Sequence, residues 1–75
     1  MNDSIKKVVY RNQQTGQFLT GEKRGRIEPT FGKLSRAKQW AYTTQKELKR
    51  DSQGMSNYYK CNLEAVVINI EFSVI

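Results

Sequence analysis

The residues best suited to chemistry lie in one short stretch. Between Lys23 and Lys38 the chain carries Lys23, Arg24, Arg26, Lys33, Arg36 and Lys38 against one carboxylate, Glu28. That leaves +5 of the net charge of +6 in this segment. Guanidinium and ammonium groups bind carboxylates and phosphates through charge-assisted hydrogen bonds, and on nucleic acid they also release counterions. Phe31, Trp40 and Tyr42 lie close by and could stack on bases. Two partners fit this chemistry: an acidic protein surface and a nucleic acid. The competing reading is a solvated loop and helix face, with Phe31 and Trp40 in the core.

Other chemistry finds little support. The chain has no histidine, which removes the commonest general acid–base group and both Ser-His and Cys-His nucleophiles. Its carboxylates occur singly, and Glu22, Glu28, Glu47, Asp51, Glu64 and Glu71 offer no acidic cluster for a metal. With one cysteine and no histidine, a zinc or iron–sulfur site built within the chain is not expected. Gly21-x-x-x-Gly25 lacks the Gly-Lys-Ser/Thr ending and the strand–loop–helix setting of a phosphate loop. The expectation is a binding protein without enzymatic activity or cofactor.

The strongest structural signal is the last stretch. Val66, Ile68, Ile70, Phe72 and Val74 alternate with Val67, Asn69, Glu71, Ser73 and Ile75. This period of two marks a β-strand, long enough to be the central strand of a small sheet, with an apolar face that calls for a helix. Ile5 to Arg11 reads as a first strand, Asn12 to Gly16 as a turn, and Gln17 to Thr20 as a second strand of a hairpin. Gly21, Gly25, Pro29 and Gly32 break the next segment into an extended arm or irregular hairpin, pinned by Ile27 and Phe31. Leu34, Ala37, Ala41, Thr44 and Leu48 follow helical spacing, with Trp40 flanking, and predict a helix over 34–51. Thr44 and Glu47 make a capping-box pattern that would divide it into 35–42 and 45–51. Gly54 is placed as its αL cap. Ser56 to Leu63 reads as a third strand holding Cys61 as a small buried residue, with either a turn at 62–65 or one long bulged strand after it.

The fold class is therefore α+β: a small antiparallel sheet of three to five strands with one helix, or a broken pair, on one face. The expected core is Val8, Tyr10, Phe18, Leu19, Leu34, Ala37, Trp40, Ala41, Leu48, Val66, Ile68, Ile70 and Phe72. Residues 1–75 make a single domain with a thin core. The N-terminus has no apolar signal region and no run approaches membrane-spanning length, so a cytoplasmic protein that makes no use of a membrane is expected. Tyr58 and Tyr59 are adjacent and would face opposite ways in a strand, leaving one as an interface aromatic. Apolar residues on both faces of the last strand make a homodimer one way to cover it.

Val8-Val9-Tyr10-Arg11-Asn12, then Thr15-Gly16-Gln17-Phe18-Leu19-Thr20, Ala37-Lys38-Gln39-Trp40 and an apolar final strand resemble small accessory proteins of bacteriophages. In those proteins a hairpin ending in Gly-x-aromatic-Leu, here Gly16 to Leu19, precedes an Ala-Lys-x-aromatic segment, here Ala37 to Trp40. The resemblance implies a phage or mobile-element origin and a protein that binds and inhibits or modulates a host machine. It assigns no functional residue. The residue-level expectation is binding through Lys23, Arg24, Arg26, Lys33, Arg36 and Lys38, with Phe31, Tyr42, Tyr58 and Tyr59 as interface aromatics.

Overall fold

The computed structural model describes residues 2–73, and side chains within 5–70. The elements are β1 (Asn2–Asn12), β2 (Phe18–Glu22), β3 (Pro29–Gly32), a single 3-10 turn (Leu34–Arg36), β4 (Trp40–Ala41), α1 (Gln45–Tyr59) and β5 (Leu63–Ser73). They form a five-stranded antiparallel sheet with α1 on one face, an α+β arrangement.

The central strand is β1, not the last strand. β5 pairs with it along its whole length, from Asn2↔Ser73 to Asn12↔Leu63. β2 meets β1 at Arg11↔Phe18, and β4 meets it at Lys7↔Ala41 and Val8↔Trp40. The reason lies in Val8, Val9 and Tyr10. These consecutive residues point to alternate faces, and all three are buried. A strand apolar on both faces at its middle belongs inside a sheet.

The β1–β2 turn forms where expected. Asn12 Oδ1 accepts from the Gln14 and Thr15 amides at 2.8 and 3.3 Å, and Gly16 takes a φ of +75° that its missing Cβ permits. Asn12 is buried with these partners in place. The next segment is a second hairpin, β2 with β3. Its register shifts between Leu19 and Gly21, and Thr20 Oγ1 bridges the bulge to Thr30.

The helix is displaced from 34–51. Leu34–Arg36 makes only one 3-10 turn, Ala37 is already extended, and Trp40–Ala41 is a strand. Leu34 and Ala41, both expected in the core, are exposed and do not belong to it. Trp40 gains more as a sheet residue, where it packs edge-on against Tyr10 with centroids 5.0 Å apart. The helix starts at the Thr44 cap, whose Oγ1 accepts from the Glu47 amide at 3.2 Å. It then runs through Gly54, which is mid-helix and not its cap. A glycine there costs about 1 kcal/mol relative to alanine. Continuing the helix lets Met55 and Tyr59 join Leu48 against the core, a larger return. The chain leaves α1 at Lys60, in the αL conformation at φ 55°. Residues 56–62 are therefore not a strand, and Leu63 opens β5. Cys61 lies in the short connection, half-buried against the core, and neither a turn at 62–65 nor a bulge interrupts β5.

Ser56 decides which face of β5 the helix covers. Its Oγ accepts from the Leu63 amide at 2.9 Å and lies 2.7 Å from the Ser52 carbonyl and 3.2 Å from the Leu63 carbonyl. One hydroxyl proton serves one of these carbonyls at a time. This clasp brings Leu63 under α1. Leu63 and Ala65 then pack with Val8, Tyr10, Leu19 and Leu48. Directly paired residues share a face. Val66, Ile68 and Ile70, paired with Val9, Lys7 and Ile5, therefore point away from the helix and are half-buried. The expectation that α1 covers the Val66–Ile70 face is overturned. Phe18, paired with Arg11, lies on the same far face, while its neighbour Leu19 enters the core. The Phe72 side chain and Val74 lie outside the described residues.

Candidate functional site

The six basic residues divide into two groups. Lys23, Arg24 and Arg26 sit at the tip of the β2–β3 hairpin. The Lys23 amide donates to the Glu28 carbonyl at 2.9 Å and the Arg26 amide to the Lys23 carbonyl at 3.1 Å. Gly25 turns the chain at φ +76°. Lys33, Arg36 and Lys38 follow β3, at the far end of a four-residue strand that spans about 13 Å. The Lys38 amide is held by the Leu19 carbonyl at 2.9 Å, and its ammonium lies 5.4 Å from the Trp40 ring centroid. The segment is thus a structured hairpin followed by a tethered turn.

The tip has a particular electrostatic arrangement. Glu28 pairs with Lys23 across the hairpin at 2.9 Å. Glu22 accepts a hydrogen bond from the Tyr59 hydroxyl at 2.6 Å. Both carboxylates near the tip are engaged. Arg24 and Arg26 have no ion pair among the described residues. Ile27 stands beside them 64% exposed, so it does not pin the segment to the core. Phe31 does: it pairs with Leu19 and packs on the core, as Trp40 also does.

The two tyrosines come to this hairpin from the end of α1. Tyr59 is half-buried against the core, and its hydroxyl reaches Glu22. Burial, followed by the hydrogen bond to Glu22 and that group's charge, pushes the phenol up to about 12. Tyr58 is 52% exposed, edge-on to Tyr59 with centroids 4.9 Å apart. The end of α1 thus meets the hairpin at Glu22, next to the tip. Tyr42 lies elsewhere, exposed beneath the Lys6 ammonium at 5.3 Å.

Sequence reasoning missed the Tyr59–Glu22 link, because a helix end and a hairpin far apart in the chain share no local pattern. It also misplaced Ile27. The flanking Gly25 and Pro29 were a usable sign that this residue lies at a turn. Burial raises the Cys61 thiol above its ordinary value, which keeps it protonated at neutral pH. Among the described residues, no group of three or more cysteines or carboxylates is arranged to hold a metal ion, and no helix is long and apolar enough to cross a membrane. No protein-family model matches the chain, and neither a curated protein nor a solved structure is significantly similar to it.

Proposed function

We propose that this chain is a phage or mobile-element accessory factor that works by binding, in the host cytoplasm, an acidic surface of a host protein and inhibiting or modulating it. The contact is the β2–β3 tip, with Tyr58 as an adjoining aromatic. One observation carries the reading: Glu22 and Glu28 are occupied by Tyr59 and Lys23, while Arg24 and Arg26, which flank Gly25, have no ion pair among the described residues and are followed by an exposed Ile27. Arginine and aromatic anchors beside a small apolar contact suit a protein surface that offers carboxylates around an apolar notch. A nucleic acid is the second reading, through the same arginines. It is the weaker one, because Phe31 and Trp40, which would stack on bases, are packed on the core.

The test is affinity capture from host lysate with and without nuclease, comparing the native chain with the Arg24→Ala/Arg26→Ala variant. A protein partner that survives nuclease and is lost with the variant supports the proposal. Loss of every partner on nuclease treatment selects nucleic acid. Equal capture by both chains rejects the tip as the contact.

A further inference from the structure

The outer edge of β5 is open. Among the described residues β5 pairs only with β1, through an unbroken register of eleven residues. Its other edge therefore presents a row of backbone donors and acceptors with no strand beside it. Monomeric proteins guard such edges with proline, bulges, lysines or short strands. β5, Leu-Glu-Ala-Val-Val-Ile-Asn-Ile-Glu-Phe-Ser, has no proline, glycine or lysine. Its only described ion pair is Glu64 with Arg11, on the neighbouring strand. Beside the edge lies an open groove of about 500 Å³ between β5 and α1. Leu48, Ala65 and Val67 are among its apolar lining, and Val67 is 43% exposed there.

We propose that this edge binds a second copy of the chain, by antiparallel pairing of β5 with β5 about a two-fold axis at Ile68. The sequence favours that occupant over an unrelated strand. Ile68 is the midpoint of Leu63–Ser73, so this axis alone pairs the two strands over their full length. On the face away from α1, Ile68 then meets its own copy, and Val66 of each chain meets Ile70 of the other. Three successive cross-strand pairs are β-branched and apolar, the kind that stabilise sheets. On the helix face, Val67 of each chain meets Asn69 of the other, covering an exposed valine. The new strand, about 4.8 Å away, runs beneath the mouth of the groove. The two apolar strips, Ile5, Val66, Ile68 and Ile70 in each chain, join into one.

The contact is modest. An edge of eleven residues is about 36 Å long, and the surface buried falls in the smaller class of protein interfaces. Association should therefore depend on concentration. Sedimentation velocity of the full chain from about 1 μM to about 1 mM covers the range expected of such an interface. The expected result is a shift from the 8.7 kDa chain to twice that mass. Val67→Lys/Asn69→Lys places lysines opposite lysines across the seam, and both positions are exposed in the single chain. This variant should keep its circular dichroism and stay monomeric. Mixing it with Val67→Glu/Asn69→Glu should restore a dimer of mixed composition. In the native chain, alternate β5 amides should resist hydrogen exchange at high concentration and lose that protection on dilution, a readout that needs no variant.

A native chain that remains monomeric at about 1 mM overturns the proposal. So does a dimer that the lysine pair leaves intact, which would place the contact on the Val66–Ile70 face, and so does failure of the mixture to reassociate.

Discussion

The hydroxyl of Tyr59, in the last turn of α1, donates to Glu22, the last residue of β2 beside the β2–β3 tip, over 2.6 Å, across 37 positions of the chain. This bond ties the helix end to the hairpin and occupies a carboxylate that would otherwise face Arg24 and Arg26. It also protects the phenol, which titrates near 12. A phenol raised above its unfolded value of 10 stabilises the fold fully below pH 10 and loses that contribution as pH rises to about 12. Burial also raises the Tyr10 phenol, so spectrophotometric titration should show two late-ionising tyrosines, and stability should fall across that window. Tyr59→Phe should remove one late-ionising phenol and its share of that fall. If Tyr59→Phe leaves the number of late-ionising phenols unchanged, the assignment is wrong.

Substitutions at Gly54 and Lys60 report where α1 ends. A Cβ on Gly54 meets nothing within 4 Å, and the residue is mid-helix. Gly54→Ala should stabilise the protein by about 0.5–1 kcal/mol. Lys60 is the residue in the αL conformation, where glycine carries no Cβ penalty, and Lys60→Gly should also stabilise by about 0.5–1 kcal/mol. Urea midpoints check both. Destabilisation by Gly54→Ala would instead place the helix end at Gly54.

Core membership separates Leu19 from Leu34. Leu19 is 1% exposed and Leu34 45%. Leu19→Ala should cost about 2–5 kcal/mol, whereas Leu34→Ala should stay within about 0.5 kcal/mol of the native chain. Trp40→Ala should fall between them, at about 2–3 kcal/mol, because Trp40 is only half-buried beside Tyr10. Comparable losses at Leu19 and Leu34 in denaturant melts would favour a helix over 34–51.

The tip and the tethered turn should behave differently in binding. Arg24→Ala/Arg26→Ala and Ile27→Ala should weaken binding to a protein partner by tenfold or more, about 1.4 kcal/mol. They should leave the melting midpoint near native, since all three side chains are exposed. Lys33→Ala/Arg36→Ala should have the smaller effect. For a protein partner, raising salt should mainly slow association. A uniform steep fall in affinity for any DNA or RNA would favour phosphate binding instead. Surface plasmon resonance at two salt concentrations distinguishes these outcomes.

Local pattern carried much of this protein. The alternation around Val8–Tyr10 and Val66–Ile70, the Asn12–Gly16 turn, the Thr44–Glu47 cap and the clustered charge of 23–38 are properties of neighbouring residues. Each kept its local identity in the fold. The tertiary structure decided what depends on distant partners. β4 is two residues long and has no period to read. It exists because Trp40 packs on Tyr10 and its backbone pairs with β1. The spacing of Leu34, Ala37 and Ala41 made no helix: Leu34–Arg36 is one 3-10 turn, Ala37 is extended, and Ala41 lies in β4. α1 passes Gly54 because Met55 and Tyr59 find the core beyond it. The Ser56 clasp turned Leu63 and Ala65 under the helix and left the more apolar face of β5 on the far side. The tip joined Tyr59 only when the helix end met the hairpin. Period and turn chemistry act over a few residues, whereas the choice of face, edge and partner follows from which distant surfaces can be buried together.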